Sequence, residues 1–318
     1  MYDTGLAQLF AYHARMLRDR ARVEAYRAAL SATLRAGDVV VDLGTGTGIL
    51  ALLACQAGAR KVYAIERGRI AKLARQLVQA NGCADRIEII DGESTSVTLA
   101  ERADVLVTET LWNFGLGEGL LSSVADAKER LLAPGARIIP RRLELYAAPV
   151  ELPDAFKRFE VWNDGTLGLN LAAARSTVLA VLYPADAGNE ALLAPGACLS
   201  SIDLGAPLNL QGAVGGDAGF SIARDGTLHG LLGWFRAELA PGIQVTNAPP
   251  NPCPSWHQAL LPVDPPLAVQ SGDVLAARVD AVGDATVFRW HVELSRNGAV
   301  LARREASTLK AFARLKPC

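Results

Sequence analysis

Residues Val39 to Glu66 constrain this chain more than any other stretch. Val39 to Leu43 reads Val-Val-Val-Asp-Leu, the short β-branched run of a buried parallel strand. Gly44, Gly46 and Gly48 follow at once, then Ile49 to Cys55 supplies Leu, Ile and Ala for a buried helix. Lys61 to Ile65 is the next strand, and Glu66 closes it. This is a β-α-β unit with a glycine turn at the end of its first strand. Glycine there lets backbone N–H groups approach a ligand that a Cβ would push away. An acid at the end of the second strand can accept hydrogen bonds from ribose hydroxyls. The unit is therefore built for an adenosine-containing cofactor. A dinucleotide fingerprint, G-x-G-x-x-G, would need its third glycine at position 49, where Ile49 stands. The chain has G-x-G-x-G instead, with Asp42 two residues ahead.

The segments around this unit alternate. Leu6 to Leu30 has helical periodicity and reads as one helix, with Asp19 and Arg22 three apart on its surface. Ile70 to Ala80 is a second helix ended by Asn81-Gly82. Arg86 to Ile90 is a third strand, followed by Asp91-Gly92-Glu93-Ser94. Asp104 to Thr108 is a fourth strand, and Glu109 opens the loop after it. Leu120 to Leu132 is a helix stopped by Pro134-Gly135, and Arg137 to Ile139 is a fifth strand. Such alternation specifies an α/β, doubly wound, Rossmann-like domain over residues 1–140.

From Leu143 the character changes to short strands between Gly/Pro turns: Leu143 to Ala148, His229 to Leu239, Ala259 to Pro262, Val274 to Val279, Thr286 to Leu294 and Ala299 to Arg303. Asn297-Gly298 marks a hairpin between the last two. Residues 141–318 thus read as a β-barrel-like domain. Trp162 to Leu182 is a helical excursion within it, and Ala185 to Ala218 carries no periodic signal. His229 and His291 fall in strand patterns and read as structural.

The net charge of −1 supplies no broad field for nucleic acid or a membrane surface. Five scattered cysteines (Cys55, Cys83, Cys198, Cys253, Cys318), without CxxC spacing, suggest reduced thiols in the cytoplasm, neither a disulfide frame nor a zinc site. No signal peptide opens the chain, and no apolar run is long enough to span a bilayer.

Glu109 and Glu118 bracket Thr-Leu-Trp-Asn-Phe-Gly-Leu-Gly on one loop at the cofactor edge of the sheet. Paired acids can clamp a cation, share a proton or bind a metal, and no His lies nearby in sequence to favour the metal. Trp112 and Phe114 between them read as loop packing.

The Asp42-to-Gly48 spacing resembles motif I of the class I S-adenosylmethionine (SAM) methyltransferases. With His13, Met16-Leu17, Asp19, Arg22 and Tyr26 upstream, Ala57-Gly-Ala-Arg-Lys-Val, Glu66, and two acids nine residues apart, the chain resembles the protein arginine N-methyltransferase family over nearly its whole length. The separation of Glu109 and Glu118 matches that family's double-E hairpin. The resemblance implies a SAM cofactor and an acceptor that is an arginine-containing protein, a peptide or free arginine. It implies that Glu109 and Glu118 clamp the guanidinium, that Arg22 meets the SAM carboxylate, and that Gly44, Gly46 and Gly48 contact its methionine part. Glu66 would hold the ribose, the Glu93 side chain and Ser94 N–H would meet the adenine, and His13 and Asp42 would complete the cofactor pocket. It also implies a homodimer docked through an arm near residues 162–182.

The pattern departs from the family in places. Asn113 and glycines replace part of the hairpin's Met-Gly-Tyr, and Tyr2 is out of register with the Tyr motif before the first helix. The Thr-His-Trp loop is echoed as Pro254-Ser255-Trp256-His257, so the family's His becomes Ser255. His257 is then the candidate to replace it as the partner of Asp19, with Trp256 beside it at the substrate side. Two other readings stay open at this level: methyl transfer to a different nucleophile, and SAM binding without catalysis. The physical logic of the clamp is general. Two unit cations at ~4 Å and an effective dielectric of ~20 repel by ~4 kcal/mol, which a pair of carboxylates offsets. Bidentate hydrogen bonds also fix the guanidinium plane.

Overall fold

The computed structural model describes residues 4–163, 165–282, 284 and 287–315. Tyr2, Thr286 and Cys318 lie outside them. The expected single first helix is two: α1 (Thr4–Arg18) and α2 (Arg20–Thr33). Asp19 makes the break, because its carboxylate accepts from the Arg22 backbone N–H at 3.1 Å and caps α2.

The first half then alternates as its sequence pattern requires: β1 (Val39–Leu43), α3 (Ile49–Gln56), β2 (Lys61–Glu66), α4 (Ala71–Ala80), β3 (Ile87–Asp91), β4 (Ala103–Thr108), α5 (Leu120–Arg130) and β5 (Leu132–Ile139). The five strands form a parallel sheet in the order β3-β2-β1-β4-β5. The order reverses at β1, so the crevice beyond the ends of β1 and β4 is where a ligand belongs. The glycine turn leaves β1 there, and the hairpin carrying Glu109 and Glu118 leaves β4 beside it.

The second half is antiparallel. It contains β6 (Arg142–Val150), α6 (Pro153–Lys157), α7 (Ala172–Val178), β7 (Tyr183–Ala185), β8 (Ala197–Asp203), β9 (Val214–Ser221), β10 (Gly226–Ala240), β11 (Ile243–Thr246), β12 (Gln258–Val269), β13 (Val274–Val282), β14 (Val287–Arg296), β15 (Ala299–Ser307) and α8 (Thr308–Leu315). One sheet runs β7-β12-β10-β6-β8 with β11 on β10, and the other runs β15-β14-β13-β9. Asn297 and Gly298 both have positive φ, as a two-residue hairpin turn demands. Phe235, Leu261, Val279 and Trp290 join the buried residues of the parallel sheet in one continuous apolar core. The excursion between β6 and β7 is wider than the sequence suggests, taking in α6 and α7, and it leaves Leu167 83% and Leu169 59% exposed.

Candidate active site

The crevice at the ends of β1 and β4 holds a cavity of about 500 Å³, its open mouth included. His13, Met16 and Leu17 of α1 wall one side, Arg22 and Tyr26 of α2 another, Gly44 to Thr47 the floor, and Glu109 the edge. Gly44, Gly46 and Gly48 all have positive φ. A Cβ on Gly44 would stand 2.9 Å from Thr110 Cγ2, and one on Gly46 would stand 3.0 Å from His13 Cε1. The floor is therefore bare backbone by necessity. Gly48 has a different task, since it precedes α3 and brings that helix against Ala74 of α4 instead of lining the cavity.

Asp42 is fully buried beneath the floor and accepts from the Thr45 hydroxyl at 2.5 Å. Burial pushes its carboxyl up to about 7, against the pull of Thr45 and of the Ala51 amide. Glu66 accepts from the Gly46 N–H at 3.0 Å and the Gly68 N–H at 2.6 Å. A carboxylate has about four acceptor sites, so capacity for ribose hydroxyls is left over. Burial and the Arg22 charge lower the His13 pKa, although Glu66 opposes them, so the ring is neutral at the cavity wall.

Glu109 and Arg22 form a buried ion pair, their side chains 8% and 5% exposed. Arg22 also donates from Nη2 to the Met16 carbonyl at 2.9 Å and lies 5.6 Å over the Trp256 ring. Its buried Nε has no partner among the described residues. Burial pushes Glu109 up to about 7; Arg22 pulls the other way and the Glu118 charge raises it further. Glu118 is exposed, and no side-chain hydrogen bond ties it to another of the described residues. Its pKa is raised, first by desolvation, with Arg67 lowering it and Glu66 raising it. Glu118 has φ +53° between Gly117 and Gly119, both also positive. The hairpin is therefore wound through backbone conformations that L side chains rarely adopt.

The hairpin is fixed from the barrel side. Trp256 Nε1 donates to the Leu111 carbonyl at 3.0 Å, Asn247 Nδ2 to the Asn113 carbonyl at 2.7 Å, and the His257 N–H to Asn113 Oδ1 at 3.2 Å. Phe114 is buried and packs on Phe288, with Trp112 tilted on the same ring, so both are packing residues as expected.

One expectation is corrected. His257 does not pair with Asp19. Its Nδ1 meets the Asp186 carboxylate at 2.8 Å and its Nε2 meets Arg15 Nη1 at 3.2 Å, on the exposed side of the loop. Asp19 pairs instead with Ser255, whose hydroxyl and N–H donate to Oδ2 at 2.6 and 3.0 Å. The shorter side chain fits a buried gap, and the loop turn carries His257 away from it. Arg22 is engaged with Glu109 in addition to facing the cofactor cavity. Glu66, Glu93, Ser94 and Glu118 are outside the lining of this cavity; Glu93 is exposed and 3.2 Å from Arg67, and the Ser94 carbonyl accepts from Arg130 at 2.7 Å. Glu93 and Ser94 follow β3, an edge strand, and the Gly92 N–H donates to the Glu66 carbonyl at 3.0 Å, holding their loop to the end of β2. The spacing of Asp19 and Arg22 signals a shared surface, and the alignment on Trp256 puts Ser255 in the position that faces Asp19.

A bare-backbone floor at a sheet switch point, an acid on the second strand and an unpartnered buried guanidinium Nε fit an adenosyl group with a carboxylate tail. Fold and site together define a class I SAM-dependent methyltransferase. Residues 27–139 match the family of ribosomal protein L11 methyltransferase (PrmA), and residues 141–292 match the arginine methyltransferase oligomerization subdomain. The arginine N(omega)-methyltransferase of Streptomyces achromogenes subsp. streptozoticus is 32% identical over 84% of this chain and 75% of its own length. Protein arginine N-methyltransferase PRMT10 of Oryza sativa subsp. japonica is 32% identical over 83% of this chain and 79% of its own. The Trypanosoma brucei PRMT1 enzyme-prozyme heterotetrameric complex with AdoHcy superposes with a TM-score of 0.82 at 24% identity, covering 93% of this chain and 97% of that one. The chain belongs to the arginine methyltransferase family.

Proposed function

We propose that this enzyme transfers a methyl group from SAM to a terminal guanidino nitrogen of arginine, with Glu109 and Glu118 as the two halves of the acceptor clamp. The observation that carries this reading is one hairpin bearing two carboxylates of different character, Glu109 lining the cavity and buried against Arg22, and Glu118 exposed and near enough for its charge to act on Glu109. SAM, when bound, supplies a methyl group on a sulfonium. The chain's own residues do the rest. Gly44 to Thr47 bring bare backbone against its methionine part, where a Cβ would intrude, and the Arg22 Nε is free to donate to its carboxylate. Glu66 retains acceptors for the ribose. Neutral His13 adds no positive charge beside the sulfonium.

The acceptor guanidinium is a cation whatever the pH. Glu118 can take one of its edges, and Glu109, once ionised, a second. Fixing the plane this way holds one nitrogen in line with the methyl group, and charge drawn to the carboxylates leaves density on that nitrogen. Glu118→Gln should bind SAM as tightly as the parent, by calorimetric titration, and lose about 10²–10³-fold in kcat. A variant methylating at the parental rate would remove the clamp role. Labelled SAM incubated with free arginine, with an arginine-rich peptide and with cell extract identifies the acceptor.

The same reading includes a homodimer. Leu167 and Leu169 stand exposed on the excursion between β6 and β7, within the segment matching the oligomerization subdomain. Sedimentation at micromolar concentration should give a dimer, and Leu167→Glu with Leu169→Glu should give monomers.

A further inference from the structure

Cys55 and Cys83 stand apart from the active site and from every role assigned above. Cys55 is on α3 and Cys83 follows the Asn81-Gly82 turn that ends α4. Both are buried, at 2% and 6% exposure, and their sulfurs are 3.0 Å apart. That contact leaves roughly 1 Å to close before an S–S bond length is reached. The helix ends that hold them are fixed independently: Arg86 donates to the Cys55 carbonyl at 3.1 Å, and the Cys83 N–H to the Val78 carbonyl at 3.1 Å. Two thiols already held together lose little further freedom on bonding, so the folded chain favours the oxidised pair over two mixed disulfides.

We propose that Cys55 and Cys83 form a reversible redox pair that staples α3 to the α4–β3 turn. The oxidant is a low-molecular-weight disulfide such as oxidised glutathione. One thiolate attacks it and releases one reduced glutathione as a thiolate. The second cysteine then attacks the mixed disulfide and releases the other. Two S–H bonds are lost, one protein S–S bond forms, and the two electrons and two protons leave on two glutathione thiols. Because both sulfurs are buried, attack requires local opening of the α4–β3 turn, so oxidation is slow. The bond closes a ring across 28 residues, enclosing β2 and α4 and thus Glu66 and Gly68. Restricting that ring in the unfolded chain stabilises the folded one. Neither cysteine lines the cofactor cavity, so SAM affinity stays the same.

The full-length protein is equilibrated in a series of reduced-to-oxidised glutathione ratios, acid-quenched, alkylated and peptide-mapped. The expected result is a Cys55–Cys83 cross-linked peptide at ratios where exposed Cys198 is still reduced. It comes with a melting temperature several degrees above that of the dithiothreitol-treated protein and a SAM Kd within twofold of it. Two alkylatable thiols at 55 and 83, under conditions that already glutathionylate Cys198, would overturn the proposal. Mapping of the parent protein needs no variant to fold. Cys83→Ser, where it folds, should abolish the redox dependence of melting, and a redox-dependent shift persisting in it would equally refute the staple.

Discussion

Two links join α1 and α2 to the barrel; each includes an Asp carboxylate, and they differ in charge and in exposure. The inner link is Asp19 to Ser255, with Arg22, Trp256 and Glu109 around it, and its polar atoms are out of water. The outer link is Arg15 to His257 to Asp186, with Asp186 two-thirds exposed. Similar groups and similar distances have different worth when solvent can replace the partner. The inner link sets where Arg22 stands, and through it where Glu109 stands. The outer link trims the edge of the same loop.

The sharpest way to break this comparison is Asp19→Ala. It removes the α2 cap and leaves the buried Ser255 hydroxyl and N–H unpartnered, so it should lower stability by about 2–4 kcal/mol in denaturant titration. It should also raise the SAM Kd, since Arg22 loses its anchor. A loss under 1 kcal/mol would mean that water reaches the site.

Next in size is the pH response of the buried acid. Burial pushes Glu109 up to about 7, and the carboxyl must be ionised to hold a cation. The kcat/KM should therefore rise about tenfold per pH unit below 7 and level off above it. Stability should run the opposite way. Glu109 and Asp42 both have folded pKa values, about 7, above their unfolded ones. Their preference for the folded state is complete below about pH 4 and is lost as pH rises through 7. A flat rate profile between pH 5 and 8 would detach Glu109 from acceptor binding.

The smallest effect belongs to the outer link. His257→Ala should cost under about 1 kcal/mol of stability and change kcat less than threefold. A loss as large as that of Asp19→Ala would erase the distinction between the two links.

Much of this was legible in the sequence because it rests on short-range chemistry. The glycine turn, the strand on either side of it, Glu66 and the two hairpin acids are fixed by backbone needs that show in residue type and spacing. What escaped depends on neighbours far along the chain. The apolar periodicity of the first helix runs straight through Asp19, so only the cap reveals the break. Pro134-Gly135 reads as a stop, yet it lies inside β5. That strand is at the sheet edge and pairs only with β4, with a register shift between Ala103 and Val105, so a missing N–H costs little. The silent stretch from Ala185 to Ala218 holds β8 and the start of β9, strands at the edges of their sheets and rich in small residues. Edge strands bury less and so carry weaker alternation. Ser255 was set aside for His257 because residue type favoured an imidazole, whereas the buried gap beside Asp19 takes the shorter hydroxyl instead.

Asp19 divides its two oxygens between the halves of the molecule: Oδ1 belongs to the start of α2 and Oδ2 to the barrel loop. One side chain, one turn away from Arg22, thus holds the helix of the cofactor cavity and the loop behind the hairpin together. Any tilt of α2 as its guanidinium takes up a carboxylate is passed to the loop that buttresses the acceptor hairpin. A substitution at Asp19 therefore disturbs the helix that carries Arg22 and the loop that buttresses the hairpin at the same time.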